Sequence, residues 1–174
     1  MSDCKKIVII GPESTGKSTL SNMLAASLKS IFVPEFARTY LEQLPRQYVE
    51  QDLITIAQGQ LFSEDSILLQ ANQYLICDTD LYVIKVWSEH KYHRCDSWIL
   101  QQIAKRKYDL YLLTDIDIPW QDDPLREHPD TAMRQYFFAQ YQDIVINSGI
   151  PFYIVQGSPE ERLHAALSAI HHSN

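Results

Sequence analysis

Short uninterrupted apolar runs alternate along this chain with longer stretches whose apolar residues recur every three or four positions. The runs are Ile7 to Ile10, Ile31 to Val33 before Pro34, Tyr74 to Cys77, Leu110 to Leu113, and Phe152 to Val155. Runs of this kind, with no polar face, read as strands buried on both sides, as in parallel sheets. Helical spacing fills the intervals: Leu20, Met23, Leu24 and Leu28; then Leu53, Ile56, Ala57, Leu61 and Leu68; then Ile99 and Ile103 with Trp98; then Met133, Phe137, Tyr141 and Ile144. These stripes are assigned to core and given no other role. Ser158-Pro159-Glu160-Glu161 is a capping box with proline in the first turn, after which Leu163, Ala166, Leu167 and Ile170 form an inward face. The alternation predicts an α/β fold, a doubly wound, mostly parallel sheet with helices on both faces. Ligands in such sheets bind beyond the carboxyl ends of the strands.

Composition narrows the class. A chain of 174 residues, 45% apolar and 21% charged, suits a single domain over 1–174 with a sizeable core. No apolar run has membrane-spanning length and no charged-then-apolar leader opens the chain, so the expectation is a soluble, cytoplasmic protein without membrane insertion. A net charge of −7 argues against nucleic acid as a partner, because phosphate backbones need a basic face. Cys4, Cys77 and Cys95 are odd in number and widely spaced, which indicates neither a disulfide framework nor zinc. His90 and His93 read as polar residues at an exposed helix end rather than a metal pair.

Gly11-Pro12-Glu13-Ser14-Thr15-Gly16-Lys17-Ser18-Thr19 satisfies the P-loop pattern G-x-x-x-x-G-K-[ST] between the first strand and the first helix. Its backbone N–H groups curl into an anion nest at a helix N-terminus, so Gly11, Glu13, Ser14, Thr15, Gly16, Lys17, Ser18 and Thr19 are the candidate ATP-binding residues. Lys17 is expected to reach the β- and γ-phosphates, and the Ser18 hydroxyl to ligate Mg²⁺.

Strand ends supply the other candidates. Asp78-Thr79-Asp80 follows the third run; a carboxylate there is the expected Mg²⁺ partner, against the plain alternative of a helix N-cap. Asp78 is assigned to the metal, whereas Asp80 stays open between substrate ligand, base and cap. Pro34-Glu35-Phe36-Ala37-Arg38 can turn an acid, an aromatic and a base toward one crevice, or merely form a Glu35–Arg38 surface pair. Residues 115–130 form a polar, proline-interrupted lid carrying Trp120, which either stacks on a flat ring or pins the loop. Arg126, with Arg134 behind it, is a candidate to close on a transferring phosphoryl group. Gly157, after the last strand, is expected to lie against adenine.

Five segments together resemble one family: Gly11 to Ser18; Val33 to Arg38; Asp52-Leu53 with Ala57-Gln58-Gly59-Gln60; Cys77 to Asp80; and Asp117-Ile118-Pro119-Trp120 with Asp122-Asp123 and Arg126. The set resembles the ribosylnicotinamide kinase domain of a bacterial bifunctional NAD-biosynthesis protein, and stand-alone nicotinamide riboside kinases, from Ile7 to Arg162. The resemblance implies a P-loop kinase fold and ATP- and Mg²⁺-dependent phosphorylation of nicotinamide riboside at its ribose 5′-hydroxyl. It implies that Lys17, Asp78, Asp80 and Arg126 are catalytic, that Ser18 and Asp78 hold the metal, and that Glu35, Phe36, Arg38, Asp80 and Trp120 address the riboside. No HxGH motif is present, so neither adenylyl transfer nor repressor activity is expected. A kinase for another nucleoside and a regulatory ATP-binding switch are the competing readings.

Overall fold

A computed structural model describes residues 4–173. The elements run β1 (Lys5–Ile10), α1 (Lys17–Ser27), β2 (Ile31–Val33), α2 (Phe36–Gln43), α3 (Glu50–Leu68), β3 (Tyr74–Asp78), α4 (Leu81–Tyr92), α5 (Ser97–Lys105), β4 (Leu110–Thr114), α6 (Thr131–Asn147), β5 (Phe152–Val155) and α7 (Pro159–His172). All five apolar runs are strands, in the order β2-β3-β1-β4-β5, and every pairing is parallel.

Side-chain alternation along β1 divides the core. Ile7 and Ile9 point to one face, against Leu20 and Leu24 of α1 and Ala166 and Ile170 of α7. Val8 and Ile10 point to the other, against Val86 of α4 and Phe137, Tyr141 and Val145 of α6. A third cluster joins α2 to α5 beyond the β2 edge, through Ala37, Leu53, Ile56, Leu61, Ile84 and Ile99. Both faces of the central strands are therefore covered, as a parallel sheet requires. The capping box of α7 forms as read: Ser158 Oγ accepts from the Glu161 N–H, and the Glu161 carboxylate accepts from the Ser158 N–H at 2.7 Å.

The connection from β1 leads through α1 to β2, beyond β3, whereas β4 lies on the other side of β1, so the strand order reverses beside the P-loop. That topological switch opens a crevice above the β1 carboxyl end. The α2–α3 arm forms one of its walls and is rigidly built. Asp52, 4% exposed, accepts two bonds from the Arg46 guanidinium at 2.7 and 2.8 Å, one from the Tyr40 hydroxyl at 2.7 Å, and one from the Val49 N–H at 2.7 Å. The Phe36 ring lies directly over Gly59 of α3, leaving no room for a β-carbon there.

Two outcomes follow for stability. Gly59→Ala normally favours a helix by about 1 kcal/mol, but overlap with the Phe36 ring reverses the sign, to a loss of about 1–3 kcal/mol in urea unfolding. The Arg46 bonds hold the Asp52 carboxyl well below the usual range, so its contribution is present above the unfolded carboxyl pKa and is lost as pH falls through the depressed folded value. Asp52→Asn should cost about 1–3 kcal/mol at neutral pH and make acid unfolding less steep, as followed by circular dichroism.

Candidate nucleotide and acceptor site

The nest at the β1 end has its backbone angles fixed by sequence. Gly11 takes φ +150° where a side chain would strike Thr114, and Gly16 takes φ +76° as the N-cap of α1. The loop carbonyls are held away from the crevice. The Thr15 hydroxyl donates to the Pro12 carbonyl at 2.7 Å and pairs with the Thr114 hydroxyl at 2.7 Å. Arg162 Nη1 donates to the Thr15 carbonyl at 2.7 Å, and Arg134 Nη2 donates to the Ser14 carbonyl at 3.4 Å. Lys17 Nζ rests on the Pro12 carbonyl at 2.6 Å, at the rim of the nest. The loop lines one crevice of about 330 Å³, together with Glu35, Arg38, Arg126, Gly157 and residues of α4 and α6.

Burial sets the charges here. Desolvation lowers the Lys17 pKa, opposed by Glu35, Asp78 and Glu13. It raises the Glu35 pKa, opposed chiefly by Lys17. It also raises the Asp78 pKa, opposed by Ser18 and Lys17. Asp78, the last residue of β3 and 2% exposed, keeps Oδ1 without a hydrogen-bond partner among the described residues. An unpaired carboxylate oxygen beside the Ser18 hydroxyl is a hard-oxygen pair that fits Mg²⁺.

The lid is tied down at several points. Ser14 Oγ accepts from the Gln121 N–H at 2.8 Å and from Arg126 Nη1 at 3.3 Å. Glu13 accepts from the Glu127 and His128 N–H groups at 3.1 and 3.2 Å. Arg38 pairs with Asp123 of the lid at 3.0 Å and with Glu42 at 3.7 Å, rather than with Glu35. The Tyr48 hydroxyl accepts from Trp87 Nε1 at 2.7 Å and donates to the Glu127 carboxylate at 3.0 Å. Thus Glu13, Arg38 and Arg126 each help close the lid over the nest.

Several expected residues point elsewhere. Asp80 is the N-cap of α4: Oδ1 accepts from the Tyr82 N–H at 2.9 Å and Oδ2 from the Tyr111 hydroxyl at 2.7 Å. It lines a separate cavity of about 200 Å³, where burial pushes its pKa up to about 7. Thr79, at φ +72°, swings the chain so that Asp78 and Asp80 diverge, which corrects the open reading of Asp80 to cap. Phe36 belongs to the α2–α3 packing, and neither it nor Trp120 lines the crevice. Trp120 pins the lid: its Nε1 donates to Asp122 at 3.0 Å, and its ring lies 5.9 Å from the Arg126 and Arg134 guanidinium carbons. Gly157 does line the crevice, but its N–H donates to Asp117 at 2.6 Å and its carbonyl accepts from Arg162 at 2.9 Å. It offers a ligand its CH₂ surface rather than a free backbone donor. Thr19 lines the crevice and is exposed.

Other residues gain a place that periodicity hid. Arg162, 3% exposed, bonds the Thr15, Gly157 and Asp115 carbonyls and the Asp117 carboxylate, yet in sequence it follows Glu160-Glu161 as an ordinary polar position. Phe137 and Tyr141, read as core alone, also face the crevice, as does His90, which is half-buried rather than at an exposed helix end. No cluster of three or more metal-ligating side chains exists among the described residues, and no helix among them is long and apolar enough to cross a membrane.

Two curated proteins are similar to this chain, both described as the trifunctional NAD biosynthesis/regulator protein NadR. That of Salmonella typhimurium is 26% identical over 154 residues, covering 85% of this chain and 37% of the relative. That of Escherichia coli is 26% identical over 158 residues, covering 87% and 38%. The chain therefore spans well under half the length of these relatives. Crystal structures of NadR proteins, one with NAD and AMP-PNP and one with NR, superpose at TM-scores of 0.79 and 0.77, with 24% and 23% identity, over 98% of this chain and 49% and 50% of theirs. Thymidylate kinase from Ehrlichia chaffeensis superposes at 0.65 with 14% identity, over 96% of this chain and 98% of that one. At these identities the likeness establishes a P-loop kinase fold. A family model described as AAA domain matches residues 6–162, a span that takes in the nest, Asp78, the lid and Arg162, and the chain belongs to that family.

Proposed function

We propose that this protein transfers the γ-phosphoryl group of ATP to the 5′-hydroxyl of nicotinamide riboside, forming nicotinamide mononucleotide. One observation carries the reading: a single crevice joins a P-loop nest to an acid-bearing, largely apolar end, and Lys17 and Glu35 interact at the junction. The likeness to NadR proteins, one of them solved with NR, supports this acceptor over other nucleosides.

Phosphoryl transfer asks for positioning and charge stabilisation more than covalent chemistry. The nest amides and Lys17 hold the phosphates, and Lys17 exchanges its Pro12 carbonyl for a phosphate oxygen. Ser18 and Asp78 are the residues to hold Mg²⁺, which neutralises charge on the phosphate oxygens when bound. Arg126, held over the nest by Ser14 and the Gln121 carbonyl, is placed to meet charge developing on the transferred group. Glu35 is the acid available to the acceptor hydroxyl. Burial raises its pKa, which makes it a stronger proton acceptor than an exposed carboxylate.

Riboside-dependent ADP release tests the activity; ATP turnover indifferent to riboside would favour a nucleotide-driven switch instead. Lys17→Ala should lower kcat by about 10²–10³ while leaving the thermal melt cooperative. Glu35→Gln should raise KM or lower kcat for the riboside by about tenfold or more and spare ATP affinity measured by calorimetry. Unchanged riboside kinetics in that variant would remove Glu35 from the mechanism.

A further inference from the structure

The crevice has an apolar stretch of wall whose chemistry the transfer step does not use. Val83, Val86 and Trp87 of α4 and Phe137 of α6 make an apolar wall, into which His90 of α4 and His128 of the lid are set. The two imidazoles meet edge to face, with ring centroids 5.1 Å apart at 89°. Both pack on Phe137, at 4.8 and 4.9 Å, and His90 also touches Tyr136 at 5.9 Å. Ring packing thus fixes them, yet no ring nitrogen of either is hydrogen-bonded among the described residues. The backbone N–H of His128 is held by Glu13, so its ring takes this position only with the lid down on the P-loop.

We propose that His90 and His128 read the substituent on the acceptor's ring, accepting a carboxamide when His90 is neutral and favouring a carboxylate once His90 is protonated. The inference rests on the riboside kinase reading and specifies the acceptor end of the same site. A flat heteroaromatic base needs an apolar wall, which these residues offer, while Glu35, which interacts with Lys17, is the acid left for the sugar. A neutral imidazole presents one N–H donor and one nitrogen acceptor, matching the donor and acceptor of an amide. An imidazolium presents donors only, which suits a carboxylate and leaves an amide NH₂ without an acceptor.

The surroundings settle which form prevails at neutral pH. Burial lowers the His90 pKa, and His128 and His93 lower it further; Glu127 opposes them. Glu127 is already engaged by the Tyr48 hydroxyl and by Lys91 Nζ at 3.5 Å, and Lys91 lies 3.7 Å from the centre of the Tyr48 ring. From α6 the groups facing His90 are the neutral rings of Tyr136 and Phe137. His90 is therefore neutral at neutral pH, and the amide-bearing riboside is preferred there. As pH falls through the histidine range, the carboxylate-bearing riboside gains. Both ribosides carry the same pyridinium charge, so their ratio reports the substituent alone.

The experiment is a competition between nicotinamide riboside and nicotinic acid riboside in one mixture with ATP, with both products quantified from about pH 5.5 to about pH 8. The acid-to-amide ratio of kcat/KM should rise about tenfold toward low pH, the worth of one charge-assisted hydrogen bond. In His90→Gln, glutamine still donates and accepts but does not titrate, so the pH dependence of the ratio should vanish, whereas His128→Gln should change the ratio itself at every pH. Calorimetric affinities for the two ribosides supply the same ratio should a variant turn over slowly. A ratio in the wild-type protein that stays constant with pH, a pH dependence that survives in His90→Gln, or a ratio untouched by His128→Gln overturns the assignment alone. Failure to phosphorylate either riboside at any pH overturns the kinase reading and this assignment with it.

Discussion

An anion nest works only if the loop's carbonyl oxygens are turned away from the anion and satisfied elsewhere. The P-loop meets that constraint with buried arginines. Arg162, 3% exposed, takes the Thr15 carbonyl, and Arg134, 8% exposed, takes that of Ser14. A guanidinium is costly to bury unless its donors are used. Arg162 uses its donors on the Thr15, Asp115 and Gly157 carbonyls and on Asp117. One side chain from α7 thereby ties the P-loop, the start of the lid and the β5–α7 turn into a single rigid rim. Thr15, buried between the Pro12 carbonyl and the Thr114 hydroxyl, anchors the same loop to β4.

Electrostatics in the crevice are a balance among groups that are unfavourable singly. Desolvation pushes Lys17 toward its neutral form and pushes Glu35 and Asp78 toward theirs, and attraction between them opposes that push. The lid extends the balance: Arg126 approaches Ser14, and Asp123 pairs with Arg38, which also stabilises the charge on Glu35. Glu35 is thus left facing Lys17 without a committed hydrogen-bond partner of its own helix, which suits a group meant to meet a ligand.

The lid also joins the two ends of the crevice. Its early part is bound to Arg162 and Ser14, and its later part to Glu13 of the P-loop, to Tyr48, and to Lys91 next to His90.

Strand order aside, the architecture was legible in the sequence, because burial on both faces leaves uninterrupted apolar runs at β1, β3 and β4, and Gly-x-x-x-x-Gly-Lys-Ser has few conformations open to it. Glu35, Lys17, Ser18, Asp78 and Arg126 fall at strand ends or in the lid, so the rule that ligands bind there put them at one place. Asp80 was ambiguous because a carboxylate before a helix serves equally as cap or ligand, and only the left-handed turn at Thr79 decided for the cap. Phe36 and Trp120 were attractive as aromatics near a ring, but which surface a ring covers depends on neighbours as distant in sequence as Gly59 and Arg134. Arg162, Phe137, Tyr141 and His90 carried no local signal at all, since a helix periodicity marks which face is inward and not whether that face meets core or cavity. What the chain determined alone is set by local stereochemistry and by hydrophobic period. What tertiary structure decided is every role that needs two remote segments to touch, because those contacts exist only after the sheet has fixed the order of its strands.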